Sequence, residues 1–328
     1  MNNGLMKKTL LDVRNVSIDY VNRNEAPAHA VEDVSFVLHE GEMLGLVGES
    51  GCGKTTLALS LLRLLPAAGR ITEGEIFFKG TDWLDLTEKQ MEEVRWKEIS
   101  MIFQGAMNAL NPVRTIGDQI AEAIRQHLGE TRKSTLNAMV EELLDRVGIP
   151  PNRRESYPHQ YSGGMRQRAM IAMALACSPD VVIADEPTTA LDVMIQAQIL
   201  ELLSRLQKQL GLSVILVTHD LGVVAEVCDT VLVMYGGVTA EYAPVDVIYN
   251  FPRHPYTQQL LSAFPDLSKP TERLVSIPGY PPRLEALPPG CRFAPRCNKA
   301  FDRCHVEKPE LRFLASDHAA SCHLLEEK

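Results

Sequence analysis

The sequence has 328 residues, 45% hydrophobic and 23% charged, which leaves room for one large domain plus an appendage or for two modest domains. Its 33 basic against 42 acidic residues give a net charge of −9, opposite to the basic surplus usual in a nucleic-acid binder. No 18 consecutive apolar residues occur and residues 1–8 lack the apolar stretch of a secretory signal, so the expectation is a cytoplasmic chain that does any membrane work through partner subunits.

Along the chain, residues 10–18 and 34–38 predict a twisted β layer. The run Met43-Leu44-Gly45-Leu46-Val47 predicts a buried strand, as do Val181-Val182-Ile183-Ala184 and Val214-Ile215-Leu216-Val217. Residues 118–148 predict two helices, ended by Pro150-Pro151. After Asp192, the residues Ile195, Ile199, Leu202 and Leu206 recur on one helical face. Short apolar runs alternating with helical periodicity imply an α/β fold with a mostly parallel sheet. No internal repeat is present, so the chain carries one copy of whatever unit these elements build.

The run Gly48-Glu49-Ser50-Gly51-Cys52-Gly53-Lys54-Thr55 fits a phosphate-binding loop, with a strand before it and a helix opening at Thr56. Glycines at 48, 51 and 53 let backbone N–H groups turn toward phosphate oxygens, and the helix N-terminus adds partial positive charge. Lys54 can reach the terminal phosphates of a nucleotide, and Thr55 can place its hydroxyl on Mg²⁺. Asp185 and Glu186 end an apolar strand. Consecutive strand residues face opposite ways, so Asp185 can hold Mg²⁺ while Glu186 orients or deprotonates the attacking water. Cys52 sits where a helix N-terminus can lower a thiol pKa, which leaves it either a reactive thiol or a residue the loop tolerates.

Between these motifs lies Tyr161-Ser162-Gly163-Gly164-Met165-Arg166-Gln167-Arg168. Ser162 can cap the next helix, and Gly163 and Gly164 permit close approach of an anion. The run resembles the signature motif of the ABC ATPases, with Tyr161 in place of the usual leucine and Met165 in place of the usual glutamine. The resemblance implies a P-loop ATPase of ABC type, with an N-terminal antiparallel β layer and a helical subdomain at about 105–165, together spanning residues 1–250. It also implies a head-to-tail dimer, in which Ser162, Gly163 and Gly164 of one subunit close over ATP held by the other. Gln104, after the run Ile99 to Phe103, resembles the Q-loop glutamine that senses Mg²⁺ and γ-phosphate. Ala190-Leu191-Asp192 resembles the D-loop that contacts the opposite subunit. His219 resembles the H-loop histidine on the γ-phosphate, and Tyr20 the aromatic that stacks on adenine.

Residues 244–309 hold twelve of the twenty prolines, and residues 251–328 read as a Pro-rich, Cys-containing extension. His254-Pro255-Tyr256-Thr257 and Gly290-Cys291-Arg292-Phe293-Ala294-Pro295-Arg296-Cys297 resemble the tails of oligopeptide, dipeptide and nickel importer ATPases. The spacing of Cys291, Cys297, Cys304 and Cys322 is wider than that of common zinc sites. It favours a [4Fe–4S] cluster that staples the tail, with Zn²⁺ or no metal as the alternatives. His305, His318 and His323 read as surface residues. The resemblance implies import at the cytoplasmic face of the membrane, with two multi-pass permeases, a second ATPase, usually a distinct chain, and an extracytoplasmic binding protein. Relatives import peptides, nickel or short oligosaccharides, and the cargo is not readable. A soluble ABC protein of translation or repair, the main rival, usually has two nucleotide units or coiled-coil inserts, and neither is present. Nothing in the sequence supports electron transfer.

Overall fold

A computed structural model describes residues 8–21, 26–105, 109–189, 191–263 and 277–326. Its strands, in chain order, are β1 (Thr9–Tyr20), β2 (Ala28–His39), β3 (Met43–Val47), β4 (Gly69–Phe78), β5 (Thr81–Asp82), β6 (Ile99–Ile102), β7 (Val181–Asp185), β8 (Ser213–Thr218), β9 (Thr230–Tyr235), β10 (Val238–Pro244), β11 (Arg312–Ala315) and β12 (His318–Ala320). The helices are α1 (Lys54–Leu61), α2 (Glu88–Val94), α3 (Ile116–Leu128), α4 (Lys133–Arg146), α5 (Gly163–Ala174), α6 (Val193–Leu210), α7 (Leu221–Val227), α8 (Val245–Asn250), α9 (Pro255–Ser262) and α10 (Asp302–Val306). They fall into two compact units, residues 1–84 with 217–328, and residues 85–216.

The first unit holds the expected antiparallel layer, in the order β2-β1-β4-β5. β1 buries Leu11 and Val13, then Val16 and Ile18, so the buried parity changes within the strand. A register shift between Val13 and Val16 and a left-handed Asn15 (φ 49°) explain the change, since a bulge adds one residue and flips the faces. Asp33 on β2 is also left-handed, and Asn15 Nδ2 donates to its Oδ1 at 2.6 Å, joining the two irregularities.

In the same unit β3 lies parallel to β9, pairing Leu44 with Thr230 through Val47 with Val233. All five residues of β3 are buried, as its uniformly apolar sequence requires. A Gly236-Gly237 turn folds β10 back antiparallel on β9, and the C-terminal segment adds β12 and then β11 beyond β10. The Pro-rich segment lacks long apolar runs and anchors instead through aromatic rings. Tyr256 and Phe293 pack on Tyr235 with centroids 4.6 and 5.0 Å away. His318 and His323 are 7% and 1% exposed, which overturns their reading as surface residues; His305 is exposed. His318 Nε2 faces Glu241 Oε1 at 2.8 Å, and His323 Nε2 faces the Glu307 carbonyl at 2.9 Å. Polar partners let both rings enter an interior that their charge would otherwise disfavour.

In the second unit β6 runs parallel to β7, pairing Ile99 with Val181 through Ile102 with Ala184. The two helices expected over 118–148 are α3 and α4. Thr115 caps α3 by accepting from the Asp118 N–H, and left-handed Gly129 ends it. On α6, Ile199, Leu202 and Leu206 are buried and Ile195 is half-buried. The chain returns to the first unit along β8.

Candidate nucleotide site

In the first unit, β3 delivers the chain to Gly48 at φ 150°, where an added Cβ would lie 2.2 Å from the Met234 carbonyl oxygen. Gly53, at φ 99°, caps α1, and a Cβ there would meet the Ala30 carbonyl oxygen at 2.4 Å. Only glycine fits these two positions, so the spacing seen in the sequence has a steric cause. Gly51 is also left-handed (φ 78°) but open to solvent, as is Ser50.

Lys54 is 6% exposed, and its ammonium donates to the carbonyls of Gly48 at 2.7 Å and Glu49 at 3.0 Å. The charge therefore sits inside the curl of the loop. Thr55, at the start of α1, is exposed, and Tyr20 Oη stands 3.3 Å from Thr56 Oγ1 in the first turn of the same helix. Cys52 is 1% exposed, and burial pushes its thiol up despite Lys54. That removes the reading of Cys52 as an activated thiol. His219 follows β8 and is exposed, and the next residue, Asp220, caps α7 by accepting from the N–H groups of Gly222 and Val223.

Glu49 is held by the C-terminal segment. Its N–H donates to Tyr256 Oη at 3.0 Å, and Arg296 donates to both carboxylate oxygens, at 2.6 and 3.0 Å. Burial works against the Arg296 charge, but hydrogen bonds to Glu49 and Tyr235 outweigh it and raise the guanidinium pKa. Nothing in the sequence marked Glu49, Tyr256 or Arg296 as a group, because they meet only through tertiary packing.

In the second unit Asp185 is 2% exposed at the end of β7, and Glu186 follows in the left-handed conformation, φ 44°. A non-glycine residue there costs about 1 kcal/mol or more, a strain that functional sites often hold. Gln104 Nε2 donates to Glu186 Oε2 at 2.6 Å, and Thr189 Oγ1 donates to the same oxygen at 2.9 Å. Gln104 and Glu186, 82 residues apart in sequence, are thus brought together, because the parallel strands β6 and β7 end side by side.

Asp192 caps α6 by accepting from the Ile195 N–H at 3.0 Å, and Gln196 Nε2 ties back to the carbonyls of Thr188 and Leu191. Ala190 lies outside the described residues. Ser162 caps α5, accepting from the Met165 N–H at 3.2 Å. An added Cβ on Gly164 would lie 2.9 Å from Ile195 Cγ2, and one on Gly163 would lie 3.5 Å from Leu191 Cδ2. The serine–glycine turn therefore packs beside the start of α6. Sequence reasoning missed Thr189 and Gln196; the three-residue spacing from Glu186 to Thr189 was the available signal.

Among the described residues no group of three or more His, Cys, Asp or Glu side chains is close enough to hold a metal ion. The metal centre expected at Cys291, Cys297, Cys304 and Cys322, whether [4Fe–4S] or zinc, is therefore unsupported by the arrangement of these side chains. The four cysteines do line one small cavity, with His254 and Phe293. Burial raises the thiols of Cys291 and Cys297, and brings that of Cys322 to about 11. No helix among the described residues is long and apolar enough to cross a membrane.

Residues 31–189 match the ABC transporter family, and residues 240–304 match the C-terminal region of oligopeptide/dipeptide transporters. The chain is 50% identical to a probable peptide ABC transporter ATP-binding protein of Sinorhizobium fredii, over 95% of this chain and 94% of that one. It is 46% identical to the dipeptide transport ATP-binding protein DppD of Escherichia coli, over 96% of each. Among solved structures it resembles a dimeric ATP-binding cassette in a post-hydrolysis state bound to ADP and Pi, at 27% identity and a TM-score of 0.64. That match covers 72% of this chain and 99% of the other. A cassette from Clostridium perfringens, part of an ABC transporter complex, matches at 26% identity and a TM-score of 0.65, covering 75% and 92%.

Proposed function

The chain belongs to the ATP-binding proteins of the ABC transporter family, and from that premise we propose that it hydrolyses ATP to drive import of di- or oligopeptides through a membrane complex. The observation that carries the reading is the glycine-lined loop of the first unit, which holds Lys54 on its own carbonyls; the second unit adds, by itself, a strained Glu186 anchored by Gln104. The peptide cargo is supported by the similarity to peptide and dipeptide transport proteins and by the matching C-terminal region.

Lys54 and the loop N–H groups bind the β- and γ-phosphates of ATP, and Tyr20 stacks on adenine. Thr55, Asp185 and Gln104 would hold Mg²⁺, each offering an oxygen of the hard kind this ion takes. When bound, Mg²⁺ neutralises charge on the phosphates. Glu186 accepts the proton of the attacking water, while Gln104 and Thr189 fix its carboxylate. His219 steadies the γ-phosphate. Ser162, Gly163 and Gly164 cap the nucleotide bound by a second ATPase, and Asp192 shapes the loop that meets that subunit. From the cytoplasmic face of the membrane, closure on ATP and reopening after hydrolysis are relayed through Gln104 to two multi-pass permeases, which receive the peptide from an extracytoplasmic binding protein.

The four tail cysteines would hold a [4Fe–4S] cluster. What supports this is that all four cysteines line one cavity, together with their wide spacing in the sequence. A bound cluster would keep the raised thiols ionised and staple the tail.

Uptake of a radiolabelled dipeptide by cells carrying the intact transporter tests the reading. Uptake should stop with Lys54→Ala and return with the wild-type chain. Uptake that survives Lys54→Ala overturns it.

A further inference from the structure

Glu49 is tied on three sides. Its carbonyl accepts from Lys54, its N–H donates to Tyr256, and its carboxylate receives the Arg296 fork. Two of the three ties come from the C-terminal segment. Arg296 is itself fixed, with Nε on the Pro278 carbonyl at 2.8 Å, Nη2 on the Ile277 carbonyl at 3.3 Å and Nη1 on Tyr235 Oη at 3.2 Å. Tyr235 ends β9, the strand parallel to β3, so the post stands on the strand beside the one that delivers the loop. The Arg296 side chain is 5% exposed and that of Glu49 is 26% exposed, so the pair is shielded enough for its geometry to matter.

We propose that Arg296 and Tyr256 are positioning residues of the nucleotide site: by holding Glu49 they set the direction of the phosphate-loop N–H groups and of the carbonyls that orient Lys54, and Arg296 also neutralises a carboxylate beside the bound triphosphate. The inference rests on the ATPase reading above. It has two physical parts. A loop whose entry residue is fixed loses less conformational freedom when it closes on phosphate. An unpaired Glu49 carboxylate would repel the polyanionic ligand, and Arg296 cancels that charge.

The two parts predict an ordered series. In the assembled transporter, Arg296→Gln leaves Glu49 charged and loose and raises the KM for ATP about tenfold, with kcat changed less than twofold. Arg296→Lys keeps the charge but not the fork, and falls between wild type and Arg296→Gln. Glu49→Gln and Tyr256→Phe each raise KM about threefold. The double variant Arg296→Gln/Glu49→Gln binds ATP better than Arg296→Gln alone, because the orphaned charge is gone.

Titration of the purified full chain with ATP gives the matching dissociation constants, and a thermal melt shows that each variant is folded. A purely structural role would lower the active fraction, hence kcat, and leave KM alone; that result overturns the proposal. So does a double variant whose loss is the product of the single losses. If Arg296→Gln does not fold, Glu49→Gln and Tyr256→Phe decide, and wild-type KM in both overturns the proposal. A wild-type transporter that neither binds nor hydrolyses ATP sinks the ATPase reading instead.

Discussion

Gln104 donates its side-chain N–H to Glu186 at 2.6 Å, and that carboxylate stands on a left-handed residue just past the end of β7. The pairing aims Glu186 before any water arrives. Glu186→Gln should therefore keep the shape of the site and remove its base. Turnover should fall by about 10²- to 10⁴-fold, while ATP is retained on the protein after Mg²⁺ is supplied. Single-turnover phosphate release against bound-ATP content reads both quantities. Undiminished hydrolysis would take the base role away from Glu186.

The loop glycines should not respond alike. Gly48→Ala places a methyl group 2.2 Å from a backbone oxygen at φ 150°. It should cost about 2 kcal/mol or more and abolish ATP binding. Gly51→Ala meets nothing within 4 Å, so only its left-handed φ of 78° resists, at about 1 kcal/mol. Chemical denaturation and ATP titration of the two variants compare them, and equal losses would contradict the steric account.

His254 is buried, and burial lowers its pKa to about 4. Its Nδ1 must stay neutral to accept from the Tyr256 N–H at 3.0 Å, and Glu241 accepts from the His254 backbone N–H. The unfolded chain takes up this proton near pH 6.5, whereas the folded chain does so only near 4. Stability therefore falls as pH drops through that window, by up to roughly 3 kcal/mol from this residue. His254→Asn keeps a capping acceptor and should flatten this part of the profile. Urea midpoints at pH 7.5, 5.5 and 4.5 measure it, and parallel profiles would reject the assignment.

If the tail cysteines hold a cluster, anaerobically purified chain should carry about four iron and four sulfide per molecule, and Cys297→Ser should lower both. Iron-free protein with full ATPase activity and an unchanged melting temperature would remove the metal and leave the nucleotide site intact.

Much of this was legible because the motifs obey short-range rules. β3, and β7 as far as Ala184, are apolar because every residue of both strands is buried, and Gly48 and Gly53 are glycine because a carbonyl oxygen leaves no room for a Cβ. The Asn15 bulge was not legible, since alternation on each side of it looks normal and only the change of parity betrays it. Nor were the burial of His318 and His323 or the clamp on Glu49, which depend on partners as far as 247 residues away in sequence. Thr189 escaped because a lone threonine in a turn carries no periodic signal.

Phosphate release from MgATP by the purified transporter containing this chain, beside the same assembly with Lys54→Ala, tests the central claim most directly. Steady turnover in the first and at least a hundredfold loss in the second, in line with the roughly 10²- to 10⁴-fold typical of one electrostatic or acid–base group, is the expected outcome. A wild-type assembly that leaves ATP unbound and uncleaved, or a Lys54→Ala assembly that works normally, would contradict it.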